Sequence, residues 1–316
     1  MARYLAIRLS DLAIVLFGVS VIAFLMIRLI PGDAVEIMLG ANAEVTDEQI
    51  ALLRTRLGLD EPAISQYFAW IGDLFRGDLG TSLWTGVPVT QEIGGRIWVT
   101  LELSLLALLL SVVLAVPAGC AMAYFRSSAA DYVIRVITIA GVTVPNFWLG
   151  ALLIFLFFAL FPSFPSVGWV DFSVDPLGNL ARLLLPTIAL AVPVLATLSR
   201  IARSAMLDSL GQDYIRTARS KGVSERAVVF KHALRNALIP FVTALGISAG
   251  YLFGGAIVVE QVFALPGLGR LMIGAIAERN YPLVQASILL VTATFVFINF
   301  LIDLAYAALD PRISLR

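Results

Sequence analysis

The polar chemistry of this chain is concentrated in one basic stretch set between long apolar runs. It reads Gln212-Asp213-Tyr214-Ile215-Arg216-Thr217-Ala218-Arg219-Ser220-Lys221-Gly222, then Val223-Ser224-Glu225-Arg226-Ala227-Val228-Val229-Phe230-Lys231-His232-Ala233-Leu234-Arg235-Asn236-Ala237-Leu238-Ile239-Pro240. These types build no nucleophile–base pair. They make a charged surface that must sit outside lipid. The pattern predicts two short helices meeting at a glycine. Tyr214 and Ala218 share one face of the first, while Arg216, Arg219 and Ser220 look elsewhere. Lys221 falls at the negative end of that helix's dipole, and Gly222 can take the left-handed turn that stops it. Ser224 is a good N-cap for the second, with Glu225 in its first turn and Val223 and Val228 placed as a hydrophobic staple. Pro240 is expected to close the segment. The plain alternative is a basic connecting loop.

Other reactive types are scarce. His232 and Cys120 are the sole histidine and cysteine, so neither a metal cluster nor an intrachain disulfide can form. Cys120 reads as a packing residue and His232 as a loop residue. ATP hydrolysis would call for a Gly-x-x-x-x-Gly-Lys-Ser/Thr loop, and neither Lys221 nor Lys231 sits in that setting. Proton coupling usually leaves ionisable groups deep in the spans. Asp11, Glu102, Glu260 and Asp303 all fall near span ends instead. The chain is therefore read as a non-catalytic, passive pathway that binds no cofactor or metal itself.

The elements that position this surface are membrane spans. Of 316 residues, 59% are hydrophobic and 14% charged, with a mean hydropathy of +0.92. Ordinary soluble domains carry roughly 25% charge. The formal net charge of zero argues against a nucleic-acid partner. An all-α, polytopic membrane protein follows, because a spanning backbone must satisfy itself. Six spans are expected: about Leu9–Ile30, Val99–Tyr124, Ile134–Phe161, Leu184–Met206, Ala237–Phe263 and Val284–Ala308. Each is near or above the roughly 20 residues needed to cross a bilayer. The first is read as retained, since Arg28-Leu29-Ile30-Pro31 follows it rather than a small-x-small cleavage site.

Three regions result: residues 1–30 with the first span, an acidic polar region 31–98, and a five-span core 99–316 carrying the basic loop at 207–236. In the second region Thr46-Asp47-Glu48-Gln49 is a capping box, with Ile50, Leu53 and Leu57 on one face and Gly58 as the stop. A further helix is expected over Pro62–Arg76, its Ile64, Tyr67, Phe68, Ile71, Leu74 and Phe75 at the 3–4 spacing. Basic residues crowd the fourth–fifth connection, which places it and both termini in the cytoplasm. Gly246, Gly250 and Gly254 recur every four residues and predict a helix-packing face. Pro145, Pro186 and Pro193 can kink or break their spans.

The basic stretch resembles the cytoplasmic "EAA" loop of permease subunits in binding-protein-dependent ABC importers, with Arg216, Thr217 and Ala218 at the triplet and Gly222 as its glycine. Its wording is similar to the peptide and nickel branch. Further motifs extend that likeness over nearly the whole chain: Ile30-Pro31-Gly32-Asp33, Leu57-Gly58-Leu59-Asp60-Glu61-Pro62, Gly77-Asp78-Leu79-Gly80-Thr81-Ser82, Thr100-Leu101-Glu102-Leu103-Ser104, Pro145-Asn146-Phe147-Trp148-Leu149-Gly150, Glu260–Arg270 and Leu309-Asp310-Pro311-Arg312-Ile313. All look like the B-type permease of dipeptide, oligopeptide and nickel importers.

The resemblance implies a type I importer permease fold in a bacterial or archaeal inner membrane, with a helical periplasmic insertion after the first span. It implies an ATPase-docking loop at Tyr214, Arg216, Thr217, Ala218, Arg219, Lys221 and Gly222. The partners it implies are a second homologous permease, two ATPases that bind the ATP and Mg, and an extracytoplasmic binding protein. Di- or oligopeptides are the expected cargo and nickel chelates the alternative. From another class, a secondary transporter or channel would work without an ATPase.

Overall fold

An oily chain without edge partners has helices as its way to satisfy the backbone. The computed structural model describes residues 2–29 and 60–309, and they are helical apart from turns and one isolated bridge, Thr81 to Pro88. Helix α1 is Ala2–Leu29, α2 Ala63–Phe75, α3 Val89–Gly94 and α4 Arg96–Tyr124. Then follow α5 Ala129–Thr143, α6 Asn146–Leu160, α7 Pro176–Leu210 and α8 Asp213–Ser220. The chain ends with α9 Glu225–Val262, α10 Leu268–Ala277 and α11 Tyr281–Leu309. The capping box at 46–49, the apolar face through Leu57, and the motifs at 30–33 and 310–313 lie outside the described residues.

Four helical stretches are long and apolar enough to cross a membrane: Val89–Tyr124, Pro176–Leu210, Glu225–Val262 and Tyr281–Ile302. The expected third span is not one rod. It is α5 and α6, bent by 106° at Val144-Pro145, and the pair counts as a fifth crossing only if taken together. Pro145 has no N–H to give, and Val144 before it is extended at φ −80°, ψ 122°, the conformation a following proline favours. Among the described residues, Ser10–Met26 of α1 is a shorter apolar helix. Length and composition among the described residues therefore support four or five crossings, and a sixth depends on α1.

The other prolines behave differently. Pro186 and Pro193 lie inside an unbroken α7, and Pro240 lies inside α9 rather than closing the basic segment. The second helix of that segment is correspondingly not separate. It runs through a π-helical turn, Val228–Ala233, into the membrane helix. At 35 residues, α7 is about 50 Å long, so its end projects past a hydrocarbon core of about 30 Å.

Helices α4, α7 and α9 form the centre. Leu103, Leu183, Leu190, Leu198, Leu252 and Phe263 are fully buried or nearly so in one cluster. Near the end of α4 a Cβ on Gly119 would overlap Ala202 and stand 2.9 Å from the Ser199 carbonyl. Only glycine lets α4 and α7 approach so closely. A second cluster underlies α8, and a third joins Val89 and Ile93 to α10 and the start of α11.

Candidate functional site

The basic elbow is built on a buried floor. Ile215 is fully buried against Met206, Val228, Val229 and Ala233, with Ala218 and Val223 packed on the same cluster. The inward face of α8 is thus Ile215 and Ala218. Tyr214 stands at its edge, half-exposed, where its hydroxyl accepts from Asn236 Nδ2 at 2.8 Å and lies 3.0 Å from Ser209 Oγ. Ser209 in turn donates to the Ala233 carbonyl at 3.1 Å. One hydroxyl pair therefore ties α8 to both α7 and α9. The sequence reading missed Ile215, although Ile215, Ala218 and Val223 form the apolar side of an otherwise polar stretch.

Gly222 takes φ +75°. The Val223 amide donates to the Ala218 carbonyl at 3.2 Å and the Gly222 amide to the Arg219 carbonyl at 2.9 Å. That pair of bonds, with Val223 packed near Ala218, is a Schellman closure around the cap residue Lys221. The start of α9 differs from expectation. Ser224 occupies the cap position but makes no side-chain cap bond, while Glu225 in the first turn is turned toward Arg219. Arg219 grips it with two bonds, Nη2 to Oε1 at 2.6 Å and Nε to Oε2 at 3.1 Å.

What faces outward is basic, with one aromatic. Arg216, Thr217, Arg219, Ser220, Lys221 and Gly222 are exposed, and Arg216 has only a loose pair with Asp213 at 3.5 Å. Phe230 beside them is 61% exposed, which the sequence reading had not singled out.

Beneath the elbow lies an ion cluster. Asp131, 1% exposed, receives two bonds from Arg203, Nε at 3.0 Å and Nη2 at 3.1 Å. Arg135 adds a third at 2.8 Å and the Ser127 amide a fourth at 3.1 Å. The cluster joins the first turn of α5 to α7.

At the opposite end Glu260 is completely buried. Its Oε1 accepts from Thr100 Oγ1 at 2.5 Å, and its Oε2 accepts from the Arg270 amide at 2.9 Å. Thr100 also accepts from the Leu268 amide at 2.9 Å. The carboxylate thereby caps α10 and fastens it to α4. A Cβ on Gly267 would overlap the carboxylate, so glycine there makes room for it. Sequence reading placed Glu260 near a span end but expected a short loop where α10 stands.

The glycine face divides. A Cβ on Gly250 would overlap the Phe295 ring, and one on Gly246 would touch Ile302 at 3.4 Å, so both lie against α11. Gly254 faces open space. The crowded neighbour is Gly255, where a Cβ would lie 2.9 Å from Leu190 and 3.0 Å from Asn146. Among the described residues no group of three His, Cys, Asp or Glu could hold a metal.

Long apolar helices around a central α4–α7–α9 core, with a basic elbow between two of them, define a helical membrane protein. In structures titled as inward-facing conformations of a methionine ABC transporter, one chain matches with TM-score 0.57 at 19% identity, over 70% of this chain and 97% of that one. A second crystal form matches with TM-score 0.51, at 19% identity over 68% and 94%. Residues 115–315 match the family model of the binding-protein-dependent transport system inner membrane component, and residues 1–104 the N-terminal model of the same system. The chain belongs to this family of ABC-importer permease subunits. It is 42% identical over 306 residues to a Brucella suis protein named as a peptide transport system permease, covering 97% of each. It is 40% identical over 319 aligned positions to the glutathione transport system permease of Escherichia coli K12, covering all of both.

Proposed function

We propose that this permease subunit forms half of the pathway through which di- or oligopeptides, handed over by a binding protein, enter the cell. Support for the cargo is the naming of the relatives, one for peptides and one for the tripeptide-sized glutathione. A second homologous permease supplies the other half. Two ATPases bind ATP and Mg and dock on the elbow at 213–224 from the cytoplasm, the side of both termini. The observation that carries the docking reading is the elbow itself: a floor of buried Ile215 and Val228 supports a surface whose basic side chains and Phe230 are left exposed among the described residues.

Tagging this chain in native membranes tests the reading. The second permease and the ATPases should copurify. Vesicles containing the assembly should accumulate peptide only with ATP and the binding protein. Accumulation driven by an ion gradient without ATP would make the chain a secondary transporter and overturn the proposal.

A further inference from the structure

Helix α2 has more apolar surface than the other described residues cover. At 3.6 residues per turn, Trp70, Leu74, Tyr67, Ile71, Ile64, Phe75 and Phe68 sweep an arc of roughly 160°. One edge packs on α1. Tyr67 is buried, its hydroxyl 2.8 Å from Ser20 Oγ and its ring edge-on to Phe24 at 5.2 Å, and Trp70 stacks on Phe24 at 6.0 Å. The other edge is bare: Ile64 is 71% exposed, Phe68 66% and Phe75 85%. Ser65, Ala69, Asp73 and Arg76 take the remaining side and are exposed too.

The contacts with α1 also set a depth. Arg28 near the end of α1 lies over the Phe24 ring at 3.6 Å and bonds to Gln66. Arg28 directly follows the apolar run that ends at Ile27, which places it at the end of the span. Ser20, reached by Tyr67, is about 12 Å further into the span at 1.5 Å per residue. These contacts come from Gln66, Tyr67 and Trp70, within about one and a half turns, so α2 crosses α1 rather than running beside it. At that depth α1 itself exposes Ile22, Leu25 and Met26, so the surroundings of α2 are those of an apolar span.

We propose that α2 is an in-plane membrane helix whose edge of Ile64, Phe68 and Phe75 lies in the lipid leaflet at the end of α1. The occupant is the acyl-chain boundary. A soluble partner would have to bind a surface level with an apolar span. The polar side, carrying Asp73 paired to Arg76 at 3.0 Å, faces water. This rests on family membership and not on the ATPase-docking reading.

The test uses the assembled transporter in phosphatidylethanolamine–phosphatidylglycerol vesicles, in a Cys120→Ser background. Bimane is attached at Phe68→Cys, at Phe75→Cys as a second position, and at Ala69→Cys on the polar side. Lipids brominated on the acyl chains should quench the probes at 68 and 75 and leave 69 bright. Aqueous iodide should do the reverse. Iodide quenching at 68 and 75 without quenching by bromolipid overturns the proposal. So does iodide quenching at those positions that disappears only on adding the binding protein, which would make the edge a protein-docking surface.

Discussion

Asp131 and Arg203, far apart in sequence, share two hydrogen bonds of 3.0 and 3.1 Å in a buried site. The pair fixes the start of α5 against the part of α7 that leads into the elbow. Removing the carboxylate strands Arg203, which is only 23% exposed, beside Arg135. Loss of one partner of a buried pair typically costs about 3–5 kcal/mol, and the partial exposure here puts the cost toward or below the lower bound. Asp131→Ala should lower the yield of folded permease in detergent, and Asp131→Asn should do so less. An unchanged melting temperature in Asp131→Ala would show that the cluster does not hold the two helices.

Glu260 and Thr100 make the corresponding tie at the other end. Thr100→Val leaves the Leu268 amide and one carboxylate oxygen without their bonds. Each lost bond of this kind costs about 1–3 kcal/mol. Glu260→Ala removes more and should be the worse of the two, with α10 loosened. Limited proteolysis near residues 264–280 should rise in both variants. Equal protection in wild type and Glu260→Ala would sink this account.

At Gly250 a single methyl group is already too much, because it overlaps Phe295. Gly250→Ala should depress membrane yield, and Gly250→Leu more so. Phe295→Ala in the same chain should restore much of the loss in Gly250→Ala by opening the space. At Gly254, where nothing stands within 4 Å, alanine should be tolerated. A tolerated Gly250→Ala with a damaging Gly254→Ala would mean that α9 meets another subunit on that face.

Topology is open to a labelling test. Ser173 is exposed in the 161–175 connection, and Ser224 is exposed in the elbow at the other end. A membrane-impermeant thiol reagent applied to intact cells should modify Ser173→Cys and spare Ser224→Cys. The opposite result inverts the proposed orientation. Ser82 is unsuitable as a reporter, being buried with its hydroxyl accepting from Asn280 at 2.7 Å.

The helical class and the elbow were legible in the sequence because apolar length and the Gly222 stop are local properties. Gly222 does take the left-handed turn, and α2 lies within the expected bounds. What could not be read was set by contacts distant in sequence. Asp131 carries no local signal of its own, and its partner Arg203 is brought to it only by the fold. Ser224 had the right chemistry for a cap but makes no cap bond, and Glu225 pairs with Arg219. Pro145 and Pro240 carried the same local signal. One breaks a helix and the other does not, since a membrane helix packed by neighbours can absorb a missing bond.

Gly222 gives the sharpest prediction for the elbow. Its φ of +75° closes α8, and a Cβ there would meet nothing among the described residues within 4 Å. Substitution is therefore strained by the backbone and not by crowding inside this subunit. A side chain in the left-handed region costs roughly 1–2 kcal/mol, a factor of about 5–30 in an equilibrium, and β-branching makes it worse. Gly222→Val should reset the angle between α8 and α9 while the floor of Ile215 and Val228 keeps the fold. Membrane abundance should stay normal, because the elbow adds nothing to span hydrophobicity. ATPase copurification and peptide uptake should both fall. Gly222→Asn, which tolerates the left-handed turn better, should fall less. Ala218→Glu is a different case. Ala218 packs on the chain's own cluster, so its variant should lose folded protein as well as coupling. Undiminished ATPase binding and uptake in Gly222→Val, at normal abundance, would remove the elbow from the coupling mechanism.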